Sequence, residues 1–150
     1  MIEGARARIV ETLGRVVPEG PLPLLDRPSY PNVGDNAIWA GQREALRAAG
    51  LPSPAYTCTV GSFEPAELRR RVPRGTILLS GGGNLGDLYP AHQRFRETVV
   101  RQFPRHRIVL LPQSMHFRSE EALDRARRVF EAHPDLHLLV RTRRSLELAR

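Results

Sequence analysis

Two short apolar runs, joined by a glycine-rich turn and a helical pattern, leave this chain few folds to choose from. Thr76–Ser80 and Arg107–Leu111 are bounded by turn residues and apolar between their ends, as strands covered on both faces are. Between them, Pro90–Phe103 places His92, Phe95, Val99 and Phe103 on one helical face, and Pro90 suits a first helical turn. Strand, glycine turn, helix and strand in that order make a βαβ crossover, which pairs its strands in parallel. The unit Leu78–His116, LLSGGGNLGDLYPAHQRFRETVVRQFPRHRIVLLPQSMH, carries its glycines and polar residues just after each strand. That is the edge of an open α/β sheet at which ligands bind.

The flanking sequence repeats the pattern. Ile2, Ala5, Ile9, Leu13 and Val16 predict an amphipathic helix that stops before the proline-rich stretch Pro18–Pro23. Leu22–Leu25 reads as a first strand and Asp26–Pro31 as the loop leaving it. A helix capped by Asp35 follows, with Ile38, Ala45, Leu46 and Ala49 on one face and Gly50 as its stop. Ala55–Val60 reads as a second strand and Pro65–Arg71 as a short helix. Beyond His116, Ser119 caps a helix led by Glu120 and Glu121, Leu136–Val140 forms a fifth strand, and Thr142 caps Arg143–Ala149. The expected fold is α/β, a Rossmann-like, doubly wound, mostly parallel five-stranded sheet in a single domain of 150 residues.

Three loops are expected to converge at one sheet edge: Asn32–Asn36, Gly81–Asp87 and Pro112–His116. One such loop is more simply a tight turn; three at one edge favour a site. Gly34, Gly82, Gly83 and Gly86 would let backbone N–H groups approach an anion. Asp35 reads first as a cap and second as a partner for a sugar hydroxyl, with Asn32 and Asn36 beside it. Asn84, Gln113 and Ser114 can bind a polar ligand or pin a loop. Asp87 stands apart from the helix start and is a candidate acid or base. His116 is balanced between site and scaffold. His92 reads as structural; Arg94 and Arg96 could reach an anion but read first as helix-surface arginines, whereas Arg141 at the end of the fifth strand is better placed for one.

Charge narrows the partners. All 23 basic residues are arginine and the net charge is +7, a surface that attracts phosphate, carboxylate or anionic membrane. Solvated helix faces account for most of it. Nucleic-acid binding is not expected, because no aromatic strand pattern, zinc spacing or recognition helix accompanies the charge. No P-loop lysine is present. Cys58 is the lone cysteine; it reads as a buried, inert thiol and offers no cysteine metal site. With no membrane-length apolar stretch and no signal-like start, a cytoplasmic protein is expected.

The stretches NVGDNAIWAG, LLSGGGNLGDLYPAHQRFR and IVLLPQSMHF occur in that order, followed by VRTRRSLELAR. Together they make the chain resemble the polysaccharide pyruvyl transferase family. The resemblance implies transfer of a pyruvyl group from phosphoenolpyruvate to hydroxyls of a sugar, forming a ketal on an exopolysaccharide or cell-wall precursor. It implies a two-domain fold like the GT-B glycosyltransferases, of which this chain would be the N-terminal half, and no cofactor or metal beyond the co-substrate phosphoenolpyruvate. Sugar or lipid-linked oligosaccharide acceptors, peripheral membrane contact, and a second half or second copy are the implied partners. Family members are expected to be about twice this length, from the size of two α/β halves. Their second half would bring a catalytic histidine and arginine without counterpart here. Where the family's last motif usually reads Arg-Asp, this chain has Arg141-Thr142 and retains Ser145. The alternative expectation is a non-catalytic sugar- or anion-binding half-domain.

Overall fold

The computed structural model describes residues 2–18 and 20–150, with the side chain of Ile2 outside the description. It contains α1 (Ile2–Val16), β1 (Pro23–Leu25), α2 (Val33–Ala48), β2 (Tyr56–Cys58), α3 (Pro65–Arg71), β3 (Thr76–Leu79), β4 (Gly82–Gly86), α4 (Pro90–Gln102), β5 (Arg107–His116), α5 (Glu120–Glu131), β6 (Leu136–Val140) and α6 (Arg143–Leu148). The strands run in the order β2-β1-β3-β5-β4, with β6 on β5, and every pairing is parallel.

Strand alternation explains the unbroken apolar runs. Leu24, Leu78, Val109 and Leu111 point to one face, where they pack with Leu13 and Val17 at the end of α1 and with Leu46 of α2. Leu25, Ile77, Leu79, Ile108 and Leu110 point to the other, against Leu68 of α3 and Phe95, Val99 and Phe103 around α4. Each fully buried aliphatic or aromatic side chain contributes about 1.5–3 kcal/mol, so both faces are needed. In α1 only the last turns reach this core: Leu13 is buried, while Ala5 and Ile9 remain exposed.

The expected fold is present, with two corrections at the edge that matters. The segment Gly81–Asp87 is not a free loop: Gly82–Gly86 is a sixth strand. It takes over the slot that β3 leaves, pairing Gly82 with Gln113, Leu85 with Met115 and Gly86 with His116. Likewise Pro112–His116 is not a loop but the second half of a ten-residue β5. Glycine makes this extension possible. Gly86 has φ +129°, and a Cβ there would overlap the His116 carbonyl oxygen; at Gly81 it would stand 2.6 Å from that of Pro112. These glycines serve strand-to-strand approach. Pro112, lacking an N–H, sits where the β5–β6 register shifts, between Leu110 and Gln113.

The chain passes from β1 outward to β2, then back across to β3. Helix α2 therefore leaves β1 on one face and α4 leaves the β3–β4 slot on the other. The topological switch point, at which doubly wound sheets bind ligands in a crevice beyond the strand ends, therefore lies between β1 and β3.

Candidate functional site at the carboxyl edge of the sheet

The entrance to α2 forms one wall. Asn32, not Asp35, is the cap: its backbone is extended (φ −118°, ψ 109°) and its Oδ1 accepts from the N–H groups of Gly34 (2.9 Å) and Asp35 (3.3 Å). The helix thus starts earlier than expected and Asp35 falls in its first turn. There its Oδ2 accepts from the Tyr30 hydroxyl at 2.9 Å. Burial, followed by that bond to Asp35, pushes the Tyr30 pKa up to about 12, so the hydroxyl stays protonated. Asn36 donates to the carbonyls of Asn32 (2.8 Å) and Tyr30 (3.2 Å). This turn is pinned by its own polar residues, and Gly34 has no positive φ.

The glycine strand forms the floor. Gln42 of α2 accepts from the Gly81 N–H at 3.1 Å. Gln113, fully buried, donates from Nε2 to the Ser80 carbonyl at 2.7 Å. From α4, Gln93 accepts from the Gly86 N–H at 3.0 Å and passes a bond on to Glu97. The Nε2 of Gln42, the Oε1 of Gln113 and the Nε of Arg96 are buried with no partner among the described residues. Such groups are ordinarily satisfied, so this floor keeps polar capacity for water or a ligand.

Sequence reasoning missed the centre of the crevice. Arg96, read as a surface arginine, is fully buried. Its Nη2 donates to Asp26 Oδ2 (3.0 Å), Asn84 Oδ1 (2.6 Å) and the Ser80 carbonyl (3.3 Å), and its Nη1 to the Asn84 carbonyl (3.0 Å). Burial pulls its pKa down while the Asp26 carboxylate pushes it back up. Asn84 is therefore a brace for the glycine strand. Asp26, expected only as the start of a loop, follows β1 directly and is buried. A signal was available: Arg96 lies four residues beyond His92, hence on the same helical face, and Asp26 occupies the same post-strand position as the glycines.

At the far wall, Arg141 leaves the end of β6 into solvent. Its Nε donates to Ser114 Oγ at 2.7 Å, and its Nη2 lies 3.5 Å from where a Gly83 Cβ would stand. Gly83, Ser114 and Arg141 are thus brought together, with the outer guanidinium facing the open floor. Ser145, capped into α6 by Thr142, accepts from the Met115 N–H at 2.9 Å. Asp87 instead ties down the turn into α5, its Oδ2 accepting from the N–H groups of Arg118 (2.8 Å) and Ser119 (3.1 Å). Partial burial opposes its charge, but those donors outweigh it and hold the carboxyl below its ordinary value. His116 is half-buried beside it, and its carbonyl accepts from the Asp87 N–H at 3.2 Å. Cys58 is buried, which pushes its thiol up to about 11, so it is inert. Among the described residues no three His, Cys, Asp or Glu side chains gather as metal ligands, and no helix is long and apolar enough to cross a membrane.

Fold and edge together define a doubly wound α/β protein with an anion-compatible polar crevice at its switch point. Comparison gives the family: residues 32–150 match the polysaccharide pyruvyl transferase family, and the chain belongs to it. It is 34% identical over 131 residues to Pyruvyl transferase 1 of Schizosaccharomyces pombe, covering 84% of this chain and 33% of that protein. It is 37% identical over 124 residues to EpsO of Bacillus subtilis, itself provisionally named a pyruvyl transferase, covering 83% of this chain and 38% of EpsO. General stress protein 30 of the same bacterium is 31% identical over 102 residues, 65% of this chain and 29% of that protein. The chain thus spans about a third of the length of these relatives, less than the half that domain size suggested.

Proposed function

We propose that this chain forms the acceptor-side part, together with one anion contact to the donor, of a pyruvyl transferase that takes its pyruvyl group from phosphoenolpyruvate and places it as a ketal on a sugar. The observation that carries the reading is the Gly83–Ser114–Arg141 group. A guanidinium fixed through Nε, whose Nη2 has no partner among the described residues and lies over a side chain-less backbone, suits a carboxylate or phosphate in two-pronged fashion. Phosphoenolpyruvate carries both anions. The tied hydroxyl, amide and carboxylate groups of Tyr30, Asn32 and Asp35 suit a polyhydroxylated acceptor, free or lipid-linked, across the crevice.

The reaction needs a proton on the methylene carbon, two hydroxyl attacks on the neighbouring carbon, and departure of phosphate stabilised by cations. Such an arrangement fits a GT-B-like pairing of two α/β bodies in the cytoplasm, working on membrane-borne precursors through an arginine-rich surface. The edge strand β6, half-exposed along its whole length, supports a second body there, either a further part of the polypeptide or another copy. Light scattering that shows a strict monomer of this chain over a wide concentration range would remove the second copy.

Ketal formation tests the reading. The full-length protein carrying these residues, supplied with phosphoenolpyruvate and a panel of sugar acceptors, should release inorganic phosphate and yield a pyruvylated sugar detectable by mass. No product with any acceptor would sink the reading. A second reading has one observation in its favour, that the chain spans about a third of its relatives: on its own it would bind sugar or anion without turnover. Binding of phosphoenolpyruvate by the isolated chain, with turnover only in the longer protein, would reconcile the two.

A further inference from the structure

The end of β1 holds a cluster outside the expected site. Asp26 has φ +66°, the one positive value at a non-glycine position among the described residues. Such backbone is strained, persists where its surroundings over-determine it, and gathers at working sites. Its surroundings are specific. Asp26 Oδ2 takes the buried Arg96 Nη2 at 3.0 Å, and both carboxylate oxygens face His92 Nδ1, at 2.9 and 3.1 Å. Arg96 in turn holds Asn84, so the carboxylate is locked to the glycine floor. The His92 ring is 18% exposed where Asp26 is 2%, and no protein atom among the described residues takes its Nε2. The Tyr30 and Tyr89 rings stand edge-on to it, at 6.3 and 6.5 Å between centroids.

We propose that His92 is a catalytic proton acceptor for an attacking sugar hydroxyl, with Asp26 and Arg96 as its positioning residues; this rests on the pyruvyl-transfer reading above. A carboxylate on Nδ1 fixes the Nδ1–H tautomer and leaves the Nε2 lone pair without a protein partner among the described residues. As the hydroxyl oxygen bonds to the pyruvyl carbon, its O–H bond breaks and the proton passes to Nε2. Asp26 meets the charge on the ring through Nδ1–H. The carbon–oxygen bond to phosphate breaks with its electron pair on phosphate. Over the whole ketal two hydroxyls lose two protons, of which the methylene carbon gains one and the phosphate the other. The charged and titratable groups that face His92 are Asp26 beyond β1, Arg96 one turn along α4, Tyr89 before α4, and Tyr30 with its partner Asp35 at the entrance to α2.

His92→Asn separates this role from a structural one, because the asparagine Nδ2 can still donate to Asp26 while nothing replaces Nε2. In the full-length protein we expect kcat to fall about 100-fold or more. KM and melting temperature should stay near wild type, and the acid limb of the kcat profile that reports the base should vanish. A variant with wild-type kcat and pH profile overturns the role of His92 and leaves pyruvyl transfer standing. A wild-type protein that forms no ketal overturns both. In the isolated chain, long-range proton–nitrogen NMR should show the Nδ1–H tautomer of His92 with a bare Nε2. An Nε2–H tautomer overturns the proposal whatever the activity.

Discussion

Arg96 and Arg141 share a side chain and a sheet edge but stand in opposite conditions. Arg96 is fully buried, with its two Nη atoms spent on Asp26, Asn84 and Ser80. Arg141 is exposed and anchored by its Nε to Ser114. The first charge has been taken out of water and neutralised within the protein, so beyond its unpartnered Nε it serves the architecture rather than a ligand. The second keeps its solvent-facing prongs. A net charge of +7 therefore says little about anion binding until each guanidinium is assigned to bracing or to binding.

The largest effect should come from breaking the braced pair. Arg96→Leu leaves the Asp26 carboxylate buried without its cation, and removal of one partner from a buried ion pair costs about 3–5 kcal/mol. Urea denaturation should register that loss. The double change Asp26→Leu with Arg96→Leu should cost less than the two single changes together, because no orphan charge remains. If Arg141→Ala destabilises the fold as much as Arg96→Leu, the distinction between brace and free cation is wrong.

Two glycines sharpen the same contrast at the level of backbone. Gly86 has φ +129° and no room for a Cβ, whereas Gly83 would place one at an ordinary 3.5 Å from the Arg141 Nη2. Gly86→Ala should destabilise by at least about 2 kcal/mol, since strain and collision act together. Gly83→Ala should fold normally and impair only what Arg141 contacts. Thermal melts of the two variants decide this, and equal losses would mean the floor is as rigid at Gly83 as at Gly86.

Next in size is Arg141→Ala. Stability should change by no more than about 0.5 kcal/mol, as at other exposed sites. Phosphoenolpyruvate binding, followed by calorimetry, should weaken about tenfold or more, the worth of one charge-assisted contact of about 1.5–3 kcal/mol. Unchanged affinity would move the anion seat away from β6.

Periodicity made the scaffold legible. The helix Pro65–Arg71 and the strand Leu136–Val140 have the limits expected of them, because apolar spacing and caps are local signals. What stayed hidden was non-local. That Gly82–Gly86 pairs with β5 depends on where β3 ends, which no glycine count reveals. Asp26 and Arg96 are 70 residues apart and meet only because the sheet order brings β1 beside β3. Asn32 rather than Asp35 caps α2 because its extended backbone aims Oδ1 at the first N–H groups, a choice between two good capping residues that composition cannot make.

The smallest expected effect concerns the carboxylate that looked most like a catalyst. Asp87 is half-buried and tied by backbone donors rather than by a cation, so it resembles the braced Arg96 in function and stands between Arg96 and Arg141 in setting. Its carboxyl is held below the ordinary value near 3.9. A depressed folded-state value gives stability that is present above the unfolded pKa and lost as the pH falls through the folded one. The amides of Arg118 and Ser119 should therefore report a titration with its midpoint below that of an ordinary aspartate, one that Asp87→Asn abolishes. Such a carboxylate stays ionised at neutral pH and is too weak a base to take a hydroxyl proton efficiently. A midpoint above the ordinary value would free Asp87 for proton transfer and make it a rival to His92.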